Sequence, residues 1–188
     1  MATLEITLRE RLRSETRTAH DMADAVFRRF DLTDPDLLRP FLAAHRDAFG
    51  LLVEHAADAE IEAMIRPALD ALDADLDALG GRPAPADLPR PPKADDGLAQ
   101  RYIWLGSRLG TRMLARRWAE GTDPTVRAAG RYLSAAPASA PWRALCDELE
   151  DMSARGTRAD LVVQAAKAWF AVFETAGHLQ LRAAPAPG

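Results

Sequence analysis

The histidine nearest the N-terminus, His20, has charged neighbours at helical spacing. Asp24 follows it by one helical turn and Arg13 precedes it by two turns, so the three side chains share roughly one helix face. A neutral imidazole is a common metal ligand, and a carboxylate beside it can orient the ring through its second nitrogen. The spacing therefore makes His20 a candidate iron ligand, and the alternative is a histidine that makes only structural hydrogen bonds.

Two glycines lie four residues apart in another helical stretch, Gly106-Ser107-Arg108-Leu109-Gly110. A glycine inside a helix costs about 1 kcal/mol relative to alanine, so the pair needs a compensating reason. One reason is close packing of a neighbouring helix, or a kink. The other is a flat, bulky ligand that lies against the exposed backbone. The spacing alone leaves both interpretations open.

The remaining histidines and the single cysteine do not form a second metal motif. His45, His55 and His178 show no helical pairing with one another, and the sequence contains no Glu-x-x-His motif, which a di-iron carboxylate bundle requires. Cys146 is alone, so neither an intrachain disulfide nor a thiolate-rich metal site can form. We interpret the three histidines as structural or surface residues.

The elements that position these residues are predicted to be helices. Apolar residues recur at helical spacing almost throughout, and no segment shows sustained alternation with β-branched enrichment, so the predicted fold class is all-α. Thr7 with Glu10 predicts a capping box for the first helix, and Asp34 before a proline predicts the start of the second. The Gly80–Gly81 pair predicts the end of the third.

The second half of the chain predicts one proline-rich loop and four further helices. Each predicted helix begins at a capping residue, a proline or both, as Asp123-Pro124, Pro141 and Thr157 with Asp160 illustrate. The predicted loop is 82–93, and the predicted helices are 95–120, 123–132, 141–152 and 157–181. We expect one domain over 1–183 and a disordered tail over 184–188.

Composition limits the classes of partner. The 188 residues are 48% hydrophobic and 28% charged, which suits a single hydrophobic core. A net charge of −4 gives no general attraction to nucleic acid or to an acidic membrane surface. No apolar stretch has the length of a signal peptide or a membrane span. We therefore expect a cytoplasmic protein with neither nucleic acid nor membrane as partner.

Several segments, taken in their order, resemble bacterial heme oxygenase, especially the branch encoded beside bacteriophytochromes. Their order and separation carry the resemblance over most of the chain, because each motif is weak by itself. The segments are Leu12-Arg-Ser-Glu-Thr16 followed by His20, Gly106-Ser-Arg-Leu-Gly110, Trp142, and Ala-Trp-Phe-Ala-Val-Phe-Glu at 168–174. The resemblance implies a single-domain, multi-helix bundle of the heme oxygenase type.

The resemblance also implies roles for the helical face around His20. His20 would be the proximal ligand of the heme iron, with Asp24 beside it. Arg13 would contact a heme propionate, which a guanidinium suits because it donates two parallel hydrogen bonds. Tyr102 would face a propionate or a distal water, and Phe173 would touch the porphyrin edge. For these two aromatic residues, simple core packing is the alternative.

On the other side of the implied heme, Gly106 and Gly110 would lie on the distal helix and leave room for dioxygen. Many heme oxygenases carry, at the position of Ser107, an aspartate that orders distal water. The phytochrome-associated branch has a serine there, as this sequence does. The implied catalytic residues are therefore Gly106, Ser107 and Gly110, and the serine puts the distal proton relay in question.

The implied reaction is oxidative cleavage of heme, both substrate and cofactor, to biliverdin, carbon monoxide and ferrous iron. Dioxygen and electrons from an external donor, such as a ferredoxin or a flavin reductase, would drive it, and a bacteriophytochrome would accept the bilin. One alternative is a heme-binding or heme-sequestering protein that lacks turnover. Another is a helical scaffold with a different small-molecule reaction or an interaction role, because one fold hosts many functions.

Overall fold

The computed structural model describes residues 6–89 and 97–184. Within these residues the chain is all-helical and has no named strand, which confirms the predicted fold class. The helices are α1 (Leu8–Phe27), α2 (Pro35–Glu54), α3 (Ala59–Ala78), α4 (Leu98–Ala119), α5 (Pro124–Ala128), α6 (Arg131–Ser134), α7 (Ser139–Glu150) and α8 (Thr157–Ala183).

The predicted limits of the first three helices are confirmed. The Thr7 hydroxyl accepts the amide N–H of Glu10 at 3.2 Å, and the Glu10 carboxylate accepts the amide N–H of Thr7 at 3.1 Å. The Asp34 carboxylate caps α2 by accepting the amide N–H of Asp36 at 2.9 Å, with the following proline as the first helical residue. Gly80 and Gly81 take φ values of 90° and 103° after α3, a conformation that glycine adopts without steric cost.

Helix α8 is the central helix and packs against α1, α2 and α4. Its Trp169 side chain is fully buried. Two ion pairs attach α1 to it: the Lys167 ammonium lies 2.9 Å from Glu15, and the Arg11 guanidinium lies 2.7 Å from Asp160. These contacts set the position of the face that carries His20.

Helix α4 is fixed by hydrogen bonds to the segment between α2 and α3 and to α7. The buried Gln100 amide accepts the amide N–H of Ala57 at 2.9 Å and donates to the His55 carbonyl at 2.6 Å. Arg101 and Glu148 join α4 to α7 through two hydrogen bonds of 2.8 and 2.9 Å. Both α1 and α4 pack on α8 but have little direct contact with each other, which leaves space between them.

The predicted helix over 123–132 is wrong, because the chain forms two short helices there. The buried Asp75 carboxylate of α3 accepts the amide N–H groups of Arg131 and Tyr132, each at 2.9 Å, and so caps α6 from outside. Gly130 lies at the break, and a Cβ on it would come within 2.3 Å of the Trp118 ring. A capping group distant in sequence therefore divides the predicted helix.

Other predicted limits differ by a few residues. Thr157 is the first helical residue of α8 rather than its cap, since Gly156 occupies the cap position with a φ of 99° and no side-chain hydrogen bond. Helix α7 begins two residues before Pro141, at Ser139. Gly97, with a φ of 84°, precedes α4, and the predicted start at 95 lies outside the described residues, as do 90–93 of the loop and 185–188 of the tail.

None of the helices in the described part of the chain combines the length and the apolar character needed to cross a lipid bilayer.

Candidate functional site

A cavity of about 510 Å³ lies beside α1, at the space between α1 and α4. Sites for small molecules and cofactors commonly enclose about 300–1,000 Å³. The residues that line it are Glu10, Arg13, Ser14, Thr16, Arg17, His20, Asp21 and Tyr102. Seven of these belong to α1 and one to α4, so the site is a helix face with a second helix opposite.

His20 lies at the edge of this cavity with 52% of its side chain exposed. Its Nδ1 atom is 3.5 Å from an Asp21 oxygen and 3.7 Å from an Asp24 oxygen, distances of a charge contact rather than a short hydrogen bond. The ring packs edge-on against Phe170 of α8, with 5.5 Å between the ring centroids. With both carboxylates near Nδ1, Nε2 is the nitrogen left for a ligand.

Two arginines bring positive charge to the cavity, which also contains the carboxylates of Glu10 and Asp21. Arg13 and Arg17 are one turn apart on α1, and both line the cavity. Neither forms an ion pair with another residue in the described ranges, and both side chains are exposed. Two guanidiniums without carboxylate partners are suited to bind two carboxylates of a ligand.

Tyr102 contributes the cavity wall from α4. Burial raises the pKa of its hydroxyl above the usual range, and a hydrogen bond with the Thr16 side chain partly offsets that rise. Its ring also packs against Trp142 of α7, with 5.5 Å between centroids. Tyr102 is therefore both a packing residue and the one polar group that α4 brings to the cavity.

The two glycines of α4 are not explained by close packing of a neighbouring helix. A Cβ on Gly106 would lie 3.5 Å from the Trp142 ring, an ordinary van der Waals contact. A Cβ on Gly110 would meet no atom of the described neighbours within 4 Å. Helix α4 continues through both glycines. The helical cost of Gly110 therefore has no compensating contact within the described part of the protein.

The residues around the glycines present an apolar surface. Tyr102, Gly106, Leu109 and Met113 follow one another at helical spacing and share a face of α4. Leu109 and Met113 are large apolar side chains left 38% and 72% exposed. The Ser107 hydroxyl, by contrast, donates to the Trp104 carbonyl of its own helix at 2.7 Å.

Phe173 and the other histidines lie away from the cavity. Phe173 is 7% exposed and packs in the core against Phe49 and His45, which separates it from the cavity residues. His45 is buried, and its Nδ1 atom lies 3.0 Å from the Phe41 carbonyl. His55 is exposed and His178 is half-buried.

The donor set suits a heme. The cavity offers one imidazole for an axial position and two guanidiniums for two propionates. The facing helix α4 lines the cavity through Tyr102; Gly106, Ser107 and Gly110 are not among the lining residues, and Leu109 and Met113 expose apolar surface further along α4. Within the described residues, no group of three or more His, Cys, Asp or Glu side chains could hold a metal ion by itself. A heme iron needs only one side chain, because the porphyrin supplies its other ligands.

The structure brings together His20, Arg13 and Tyr102 of the predicted site, with Asp24 beside the imidazole. Sequence reasoning missed Arg17 and Asp21. Arg17 could have been found, because it lies one turn from both Arg13 and His20. The side-chain orientation that brings Asp21 to the ring is not encoded in spacing. The chain matches no model of a known protein family, and no curated protein matches it either.

Proposed function

We propose that this protein is a heme oxygenase that cleaves heme to biliverdin, carbon monoxide and ferrous iron. The observation that carries the proposal is a cavity lined by His20, Arg13 and Arg17 of α1 and by Tyr102 of α4, the helix that also carries Gly106 and Gly110. Bound heme supplies the iron that activates dioxygen and the ring carbon that is oxidised. An external donor, such as a ferredoxin or flavin reductase in the cytoplasm, supplies the electrons.

In this proposal the side chains bind and orient. His20 would hold the heme iron through Nε2, because Asp21 and Asp24 lie beside Nδ1 and leave Nε2 free. Arg13 and Arg17 bind the propionates and hold the macrocycle in one rotational position. The Tyr102 hydroxyl stays hydrogen-bonded to the Thr16 side chain at the cavity wall, where burial raises its pKa, and its ring contributes apolar surface.

Helix α4 would form the opposite wall. Glycines at positions 106 and 110 would let a ligand approach the backbone, and Leu109 and Met113 would offer it apolar contact. A bacteriophytochrome as bilin acceptor is a further part of the proposal and rests on the family resemblance alone.

A specific observation favours a second function, heme binding without turnover. The Ser107 hydroxyl is already engaged with the Trp104 carbonyl, so it is not free to order water over the ligand. A protein that holds heme through His20 but lacks a distal proton donor would sequester heme rather than cleave it. The two functions share the binding residues and differ only in the product.

Hemin titration of the purified protein, followed by reductant and oxygen, tests both. We expect a Soret band with wild type, a lost or shifted band with His20→Ala, and a normal band with the control His178→Ala, since His178 lies outside the cavity. Decay of the Soret band with a rise in biliverdin absorbance and release of carbon monoxide supports the oxygenase. A stable spectrum supports sequestration, and no band in wild type refutes both.

A further inference from the structure

A second pocket, of about 250 Å³, lies on a different face of α4 from the one that carries Tyr102 and Gly106. Its walls come from α3, α4, α6 and the segment that leads into α7. Most of the lining is apolar and includes Met64 and Ala71 of α3 and Leu105 of α4. Its volume suits a ligand smaller than a cofactor.

One charged side chain belongs to this pocket, the guanidinium of Arg108. Arg108 is only 4% exposed. It donates to the Ala135 carbonyl at 3.2 Å and to the Thr111 hydroxyl at 3.4 Å. Its guanidinium carbon lies 5.2 Å from the Tyr132 ring centroid and 5.7 Å from that of Trp104. The Tyr132 hydroxyl is a third hydrogen-bond partner, and a guanidinium has five N–H donors, so donors are left for a ligand.

No carboxylate of the described residues pairs with Arg108. The buried carboxylate of the neighbouring helix α3, Asp75, instead accepts two backbone N–H groups of α6. A buried cation without an anion is costly, because the interior does not solvate the charge as water does. Ring contacts and neutral acceptors offset part of that cost.

The charge of Arg108 acts on nearby groups. Burial is the main reason that the pKa of His45 falls to about 4, and the Arg108 charge lowers it further. Burial raises the pKa of Tyr132 to about 12 against the opposing effect of the same charge. Both effects show that the guanidinium charge lies close to His45 and Tyr132.

We propose that this pocket binds a small organic monocarboxylate, with its carboxylate on Arg108 and its apolar body against α3 and α4. A single negative charge is expected, since one buried cation balances one anion and a dianion would leave a buried charge uncompensated. The apolar walls require a hydrocarbon or aryl body rather than a bare inorganic ion. The site is separate from the cavity beside His20 and does not depend on heme.

Calorimetric titration of the heme-free protein tests this site, with 3-phenylpropionate as the probe and its uncharged amide as the matched analogue. We expect the carboxylate to bind at least about tenfold more tightly than the amide, because it alone forms a charge-assisted pair. Ala71→Phe should abolish binding by filling the pocket. Arg108→Gln should weaken it at least about tenfold, whereas Arg112→Gln, exposed on the same helix, should bind as wild type does.

Three outcomes would overturn the proposal. One is equal affinity for acid and amide, which would mean that the guanidinium is not engaged. Another is wild-type affinity in Ala71→Phe with retained helicity, which would place the probe elsewhere. The third is no binding to wild type at about 10 mM probe, weaker than a formed site gives for a ligand of this size. If Arg108→Gln unfolds, the pocket-filling variant and the acid–amide comparison still decide.

Discussion

Gly110→Ala is expected to raise the stability of the heme-free protein and to weaken its affinity for heme. Gly110 lies inside α4, and a Cβ there would meet nothing within 4 Å among the described neighbours. The alanine gains helix propensity without a clash, so the free energy of unfolding should increase by about 0.5–1 kcal/mol. For a chain of this length that corresponds to a rise in Tm of about 1–4 °C.

The affinity change comes from the same methyl group. If the macrocycle lies against the glycine backbone, the added Cβ occupies space that the ligand needs, and overpacking of this kind costs about 1–3 kcal/mol. The dissociation constant for hemin should then rise by about 5- to 150-fold. Gly110→Leu should weaken binding further while the heme-free protein stays folded, since the position is exposed.

Thermal unfolding followed by circular dichroism measures the first quantity, and Soret titration measures the second. Gly177→Ala on α8 is the matched control, because its Cβ would come within 2.7 Å of the Val26 side chain. That variant should lower Tm. If Gly110→Ala raises Tm but leaves the hemin affinity unchanged, the glycine is not kept to make room for a porphyrin. If Gly110→Ala lowers Tm, a side chain at this position does not fit the helix without a clash.

Three further predictions concern other parts of the molecule. Asp75→Ala should lower the free energy of unfolding by about 2–4 kcal/mol in urea denaturation, because it removes the acceptor of two backbone N–H groups of α6. Burial lowers the pKa of His45 from 6.5 to about 4, so the unfolded state binds the proton more tightly and about 3 kcal/mol of stability is lost as pH falls between those values. In His45→Gln, this part of the pH dependence of the free energy of unfolding should be absent. Arg13→Ala and Arg17→Ala should each weaken hemin binding about three- to tenfold, and less at high salt.

Each of these has a control and a contrary outcome. Asp77→Ala, exposed at the end of α3, should change stability by no more than about 0.5 kcal/mol, and an equal effect at both aspartates would contradict the capping role of Asp75. If the free energy of unfolding depends on pH in the same way in wild type and in His45→Gln, the histidine is not the cause of the loss of stability in acid. Arg155→Ala, outside the cavity, should leave hemin affinity unchanged. An equal loss of affinity in this variant would mean that Arg13 and Arg17 act only through the overall charge of the protein.

The candidate site was partly visible in the sequence because helical spacing relates His20, Arg13 and Asp24. Arg17 lies within the same pattern and could have been named with them. Phe173 shows where periodicity stops being informative: its spacing is compatible with a ligand contact and with core packing, and the packing of α2 against α8 places it in the core. Which helix faces the cavity depends on contacts between residues far apart in the chain.

Helix caps and stops that join residues three or four apart can be predicted from the sequence. The reciprocal cap of Thr7 and Glu10, the Asp34 cap before a proline and the Gly80–Gly81 stop were all predicted, because donor and acceptor are close in sequence. Contacts across the fold are not readable in this way. Asp75 splits α5 from α6 across 56 residues, and the cavity beside His20 exists because α1 and α4 both pack on α8 with little contact with each other. Such features depend on how the helices pack, and no local spacing records them.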